Sequence, residues 1–148
     1  MIPTDIDRNA PAVVSLERII AAPLERLWQL HIDVAQWPSW QKDVRTATLE
    51  GPFEAGNSFI WTVVGLDEPI ASRIYSFDPK HAILWGGPTA GIVGIHRWTF
   101  EALGIDTLVM TEESWSGASV MANPAEAKKT LKASLVRWLD FLAAAAKA

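Results

Sequence analysis

The run GIVGIHRWTFEALGIDTLVMTEESWSG, residues 91–117, reads as two strands joined at a short turn containing Gly104 and Asp106. Alternate residues of an extended chain share a face. His96 therefore lies in line with Ile92, Trp98 and Phe100, while Arg97, Thr99 and Glu101 point the other way. If the loop is even, Phe100 faces Val109, Trp98 faces Thr111, His96 faces Glu113 and Gly94 faces Trp115. A glycine opposite a tryptophan leaves room for the indole. An odd loop or a bulge would put Glu112 or Ser114 beside His96 instead. A titratable ring on an apolar strand face is either a satisfied core residue or part of a wall around something hollow.

The pattern continues upstream. DVRTATLE, NSFIWTVVG, EPIASRIYSF and AILWGG are strand-length runs separated by Gly/Pro turns, which indicates an antiparallel meander from residue 43. VVSLERII (13–20) is a further strand. AAPLERLWQLHID follows it as a helix, with Pro23 at or near the first turn and Leu24, Leu27, Trp28 and His31 on its apolar stripe. Asp33 is placed to cap a second short helix through VAQW, which Pro38 is expected to stop. Downstream, NPAEAKKTLKASLVRWLDFLAAAA is the clearest helix, with Asn123 as N-cap, Pro124 at N1 and Glu126 in the first turn. Its stripe is Leu131, Leu135, Trp138, Leu139 and Leu142. Residues 1–12 read as a flexible N-terminal arm and 13–148 as a single domain. The order predicts an α+β fold: a curved antiparallel sheet of about seven strands wrapped around a long C-terminal helix, with two short helices between strands 1 and 2. Such a sheet cannot pack its whole inner face on one helix, so a cavity between them is expected.

Composition narrows the partners. The chain has 148 residues and a net charge of −4, without any Lys/Arg run to attract nucleic acid or a membrane surface. It has no cysteine, and so no disulfide or thiol chemistry. The absence of an apolar leader or long apolar run leads to the expectation of a cytoplasmic protein. Eight tryptophans, at 28, 37, 40, 61, 85, 98, 115 and 138, fit either a large aromatic core or a cavity walled by aromatics. His31, His81 and His96 are not at metal spacing, so no metal site is predicted, and no phosphate loop or dinucleotide fingerprint calls for a cofactor.

The segments APLERLWQLHIDVAQWPSWQKDV, IASRIYSFDPKHAILWGG and the final hairpin before the long helix resemble the START-like (SRPBCC, helix-grip) superfamily, over residues 13–146. The subgroup most resembled is the one called polyketide cyclase/dehydrase or lipid-transport-like. The resemblance implies the helix-grip fold, with hydrophobic ligand binding, lipid transport or aromatase/cyclase chemistry among the family's activities.

The function expected first is binding of a small, mostly apolar molecule, aromatic or lipid/polyketide-like, between sheet and helix. Candidate ligand-binding residues are Trp61, Ser72, Ile74 and Trp85 on the middle strands, and His96, Trp98, Phe100, Val109, Thr111, Glu113 and Trp115 on the hairpin. Leu131, Leu135 and Trp138 complete the set from the helix. His96 and Glu113 could hold the wall together, orient a ligand carbonyl or hydroxyl, or move a proton as acid and base. The alternative function is a polyketide aromatase/cyclase that uses this pair catalytically. Trp37 and Trp40 read as staples of the helix–strand junction or as one rim of the cavity, and His31 and His81 as surface or cap residues.

Overall fold

The computed structural model describes residues 2–147; Met1 of the expected arm and Ala148 of the expected domain lie outside them. The order is β1 (Ala12–Ile20), α1 (Leu24–Ile32), a 3-10 turn (Val34–Gln36), α2 (Trp37–Trp40), β2 (Val44–Leu49), β3 (Ser58–Val63), β4 (Ile70–Asp78), β5 (Ala82–Thr89), β6 (Ile92–Leu103), β7 (Asp106–Ser116), α3 (Ala118–Ala122) and α4 (Pro124–Lys147). The seven strands form one antiparallel sheet in the order β1-β7-β6-β5-β4-β3-β2. This is the helix-grip architecture: a meander from β2 to β7, with β1 closing on the outside of β7.

The β6–β7 hairpin sets the inner face. Gly104, with φ of 65°, begins a two-residue loop between the paired Leu103 and Asp106, the left-handed start that tight hairpins require. That even loop pairs Phe100 with Val109, Trp98 with Thr111, His96 with Glu113 and Gly94 with Trp115. Val14 of β1 lies opposite Glu113 on the far side of β7, and Trp85 of β5 lies opposite His96. One face of the sheet therefore carries Trp85, His96, Trp98 and Glu113 side by side.

α4 runs for 24 residues, about 36 Å at 1.5 Å per residue. Its N-terminus is capped by Asn123, whose Oδ1 accepts from the Glu126 N–H at 3.3 Å. Leu131, Leu135, Trp138, Leu139 and Leu142 are its buried stripe. Its closest approach to the sheet is at β1, not over β3–β6. α3, absent from the expectation, is a single helical turn between β7 and α4.

Three local expectations are corrected. Pro38 does not stop a helix; it lies in the first turn of α2, where its missing N–H costs nothing. Asp33 makes no side-chain cap. The N-terminal arm is tied to the outer face of the sheet. Ile6 is buried, the Asp7 N–H donates to Ser114 Oγ at 2.9 Å, and Arg8 bonds Glu112 at 2.9 Å and Asp5 at 2.8 Å.

His31 is also not a surface residue. It is fully buried, 4.6 Å from the Trp98 ring and 5.8 Å from Trp37. Neither ring nitrogen has a hydrogen-bond partner, and burial pushes its pKa down to about 3, so it stays neutral. The helical stripe that carries Leu27 and Trp28 carries His31 with them. Together with Trp37, whose indole donates to the His31 carbonyl at 3.0 Å, these residues pack one end of the space between sheet and α4 solid. Trp98, fully buried, stacks against Phe100 at an interplanar angle of 11°. Trp98→Ala is expected to cost ~3–5 kcal/mol in urea unfolding, as a side chain lost from a dry core. A loss below about 1 kcal/mol would mean that this end of the fold is hollow.

Candidate functional site

The other end is hollow. A cavity of about 560 Å³ lies between β3–β7 and the N-terminal half of α4. Trp61, Trp85, Trp115 and Trp138 line it, with Ile70, Ile92, Val63 and Leu66. Ser72, His96 and Glu113 add polar groups to its sheet wall. Along α4, Thr130, Ala133, Ser134 and Arg137 face it. These four sit at i, i+3, i+4 and i+7, a second stripe beside the leucines.

Of the fourteen residues expected to bind a ligand, Trp61, Ser72, Trp85, His96, Glu113, Trp115 and Trp138 line this cavity. Ile74, Trp98, Phe100, Val109, Thr111, Leu131 and Leu135 do not, and all seven are buried. The reason is steric. Trp28 packs on Phe100 at 5.9 Å and His31 on Trp98 at 4.6 Å, so α1 fills the inner face where a uniform hollow was expected. Thr111 acts one layer behind the wall, with its Oγ1 2.6 Å from His96 Nε2. Trp37 and Trp40 are buried in the core and do not rim the cavity.

Sequence reasoning missed the rim. Gln41, Asp43, Val64, Gly65 and Ala90 come from turns and connections, whose facing no periodicity reveals, and Thr89 from the last residue of β5. The α4 residues did carry a signal, since a small and polar stripe at helical spacing runs beside the apolar one. At the rim, Arg137 donates from Nε to Asp43 Oδ2 at 2.8 Å and from its terminal nitrogen to Oδ1. This bidentate pair ties α4 to the segment before β2.

The polar groups of the wall fall into two clusters, one around Glu113 and one at Ser72. His96 Nδ1 is 3.1 Å from Glu113 Oε1, a short approach that is not aligned as a hydrogen bond. Glu113 Oε2 accepts from the Trp115 indole at 2.6 Å. The Trp61 indole donates to Ser72 Oγ at 3.1 Å. Gly94 lies under the Glu113 cluster: a Cβ there would stand 3.4 Å from Glu113 Oε2 and 3.5 Å from Trp115 Cδ1. These are ordinary contact distances, so the indole and the carboxyl pack closely over position 94 without requiring a glycine there.

Burial sets the charges. It holds the His96 ring well below its usual titration range, so the imidazole is neutral, and the nearby His31 adds to this. It pushes the Glu113 carboxyl up to about 7, opposed by the Trp115 hydrogen bond. Near neutral pH the wall therefore presents a neutral imidazole beside a carboxyl poised to gain or lose its proton. Among the described residues no cluster of His, Cys, Asp or Glu is arranged to hold a metal, and no helix is long and apolar enough to cross a membrane.

The comparisons agree with this architecture. A family model described as polyketide cyclase / dehydrase and lipid transport matches residues 11–147. No functionally curated protein matches the chain. Among solved structures it is similar to a hypothetical protein from Helicobacter pylori, at 19% identity over 95% of this chain and 91% of that one, with TM-score 0.81. It is similar to a START superfamily protein from Mycobacterium smegmatis, at 16% identity over 91% and 97%, with TM-score 0.80. It is also similar to the di-domain ARO/CYC protein StfQ from the steffimycin biosynthetic pathway, at 14% identity over 93% of this chain and 51% of that one, with TM-score 0.74. At these identities the structural likeness shows the fold alone.

The Glu113 carboxyl has a testable pH signature. The folded chain holds its proton up to about pH 7, whereas the unfolded chain releases it near 4.5. The stabilisation of the neutral acid is complete below pH 4.5 and is lost as pH rises through 7. At 1.36 kcal/mol per unit this amounts to at most about 3 kcal/mol. Glu113→Gln, neutral at every pH, is expected to gain on the wild type by up to that amount between pH 4.5 and 7.5 in urea titrations. A stability difference that does not change with pH would show the carboxyl to be ionised throughout.

Proposed function

The chain belongs to the polyketide cyclase / dehydrase and lipid transport family, and on that footing we infer that it binds a small, mostly apolar molecule in the cavity beneath α4. The observation that carries this reading is the cavity itself. Its volume of about 560 Å³ falls within the ~300–1,000 Å³ usual for small-molecule sites. Its lining is chiefly tryptophan and aliphatic, with a few convergent polar groups on one wall. The indoles would supply contact area with little rotamer entropy to lose. Glu113, His96 and Ser72 would orient one polar group of the ligand. A flat, aromatic or polyketide-like body suits a space walled by four indoles.

A second reading has one specific observation in its favour. The Thr111–His96–Glu113 chain puts an imidazole and a near-neutral carboxyl side by side on the cavity wall. An aldol-type ring closure and dehydration needs a proton acceptor and a proton donor near a folded substrate, and this pair could serve as both. The binding reading ranks first because the one other carboxylate in the lining, Asp43, is held by Arg137 at the rim, which leaves no acid or base beyond this pair to assist.

Ser134 faces the cavity from α4 and is half-buried, so Ser134→Trp is expected to fill the space without disturbing the leucine stripe. Calorimetry with naphthylmethanol should show saturable uptake by the wild type and at least tenfold weaker uptake by Ser134→Trp, with melting temperatures within a few degrees. Equal uptake by the two proteins would overturn the reading. Formation of a cyclised product from a linear polyketide mimic would favour the second.

A further inference from the structure

We propose that the cavity selects ligands bearing a basic amine, held by Glu113 against the tryptophan walls. This deepens the reading above and rests on it.

The first ground is the balance of charge around the cavity. The formally charged groups that line it are Asp43, Glu113 and Arg137. Arg137 is engaged through two nitrogens by both carboxylate oxygens of Asp43, at the solvent-facing rim. That pair cancels itself. Glu113, deeper in the wall, has no cation beside it, because its one basic neighbour is a neutral imidazole. With Glu113 ionised, the cavity is therefore one positive charge short.

The second ground is hydrogen bonding. Glu113 Oε2 is fixed by the Trp115 indole, whereas Oε1 receives no aligned hydrogen bond from the described residues. The side chain keeps 15% of its surface exposed, against 2% for His96, and it lines the cavity. An N–H donor entering the cavity would supply the missing bond, and a cationic one would supply a charge-assisted bond.

The third ground is the aromatic wall. Trp61, Trp85, Trp115 and Trp138 line the same space, and indole faces attract cations. A carboxylate ligand would instead meet an acid and four electron-rich rings, without a free lysine or arginine in the lining.

Proton balance follows from the position of Glu113. When it is protonated, binding an ammonium releases one proton to solvent; when it is ionised, none is released. The other titratable or charged groups around it are His96 on β6, His31 of α1 beyond Trp98, and the Asp43–Arg137 pair across the cavity. β1 contributes only Val14 directly opposite. The two histidines are neutral and the pair is internally balanced, so Glu113 governs the pH dependence. Burial already brings its carboxyl to about 7. Amine affinity should rise through pH 5.5–7 and then level off.

The test compares naphthylmethylamine, naphthylmethanol and naphthoic acid by calorimetry, with the wild type and Glu113→Gln. At pH 7.5 the wild type should bind the amine at least about tenfold tighter than the alcohol, the difference between a charged and a neutral hydrogen bond. The acid should bind weakest. Glu113→Gln should weaken the amine at least about tenfold more than the alcohol, and so bring the two to similar affinity. If the alcohol binds the wild type as well as the amine, or if Glu113→Gln weakens both equally, the amine preference is overturned while the binding function stands. If none of the three binds, the binding function falls and the preference falls with it.

Discussion

The Trp138 indole holds the two halves of this structure in relation. It projects from the buried stripe of α4 into the space above the sheet, with its ring centroid 5.3 Å from Trp37 and 5.8 Å from Trp98 on the packed side. On the cavity side it reaches Trp61 at 6.4 Å and Trp85 at 6.5 Å. His31 and His96, one on each side, are both 6.1 Å away. A seven-stranded sheet offers more inner face than one helix can cover. Around Trp138 the excess is divided: α1 and α2 fill one part with aromatics, and no side chain fills the other. The cavity is thus the remainder of a packing problem, bounded where the indole stops.

That boundary also governs the chemistry. His96 and Glu113 occur where the dry aromatic block meets the open space, so they are desolvated without being sealed in. In water an imidazole and a carboxylate 3 Å apart would commonly be an ion pair. In this wall burial favours the neutral forms of both, and the carboxyl comes to titrate near neutrality. The Arg137–Asp43 pair, by contrast, lies at the rim with Arg137 largely exposed, where solvent screening leaves such pairs little net energy. Its role is to close the outer edge of the cavity between α4 and the start of β2.

Most of the scaffold could be read from spacing. Gly104 and Asp106 marked the turn but left its parity open; the even loop of the structure fixes the whole inner face, down to Gly94 opposite Trp115. The leucine stripe of α4 and its Asn-Pro cap were equally plain. What could not be read was which part of the inner face the early helices would cover. His31 sits on the same stripe as Leu27 and Trp28, but its polarity argued for the surface. With His31 and Trp28 in the core, Trp98 and Phe100 became packing residues instead of wall. Strand alternation assigns a face, but it does not say what stands opposite that face. The turn residues of the rim lay beyond any periodic argument, since a loop's facing is a tertiary property. The stripe Thr130-Ala133-Ser134-Arg137 was visible in principle, masked by the stronger apolar signal one step around the helix.

The division of the tryptophans into wall and core is the claim on which the rest stands. The direct measurement is the set of indole N–H resonances in protein labelled with 15N-tryptophan, each assigned by single substitution and followed while naphthylmethylamine is added. The account predicts that the signals of Trp61, Trp85, Trp115 and Trp138 move in a saturable manner, while those of Trp28, Trp37 and Trp98 stay in place. Movement concentrated at Trp28 and Trp98, or no movement at all, would contradict it.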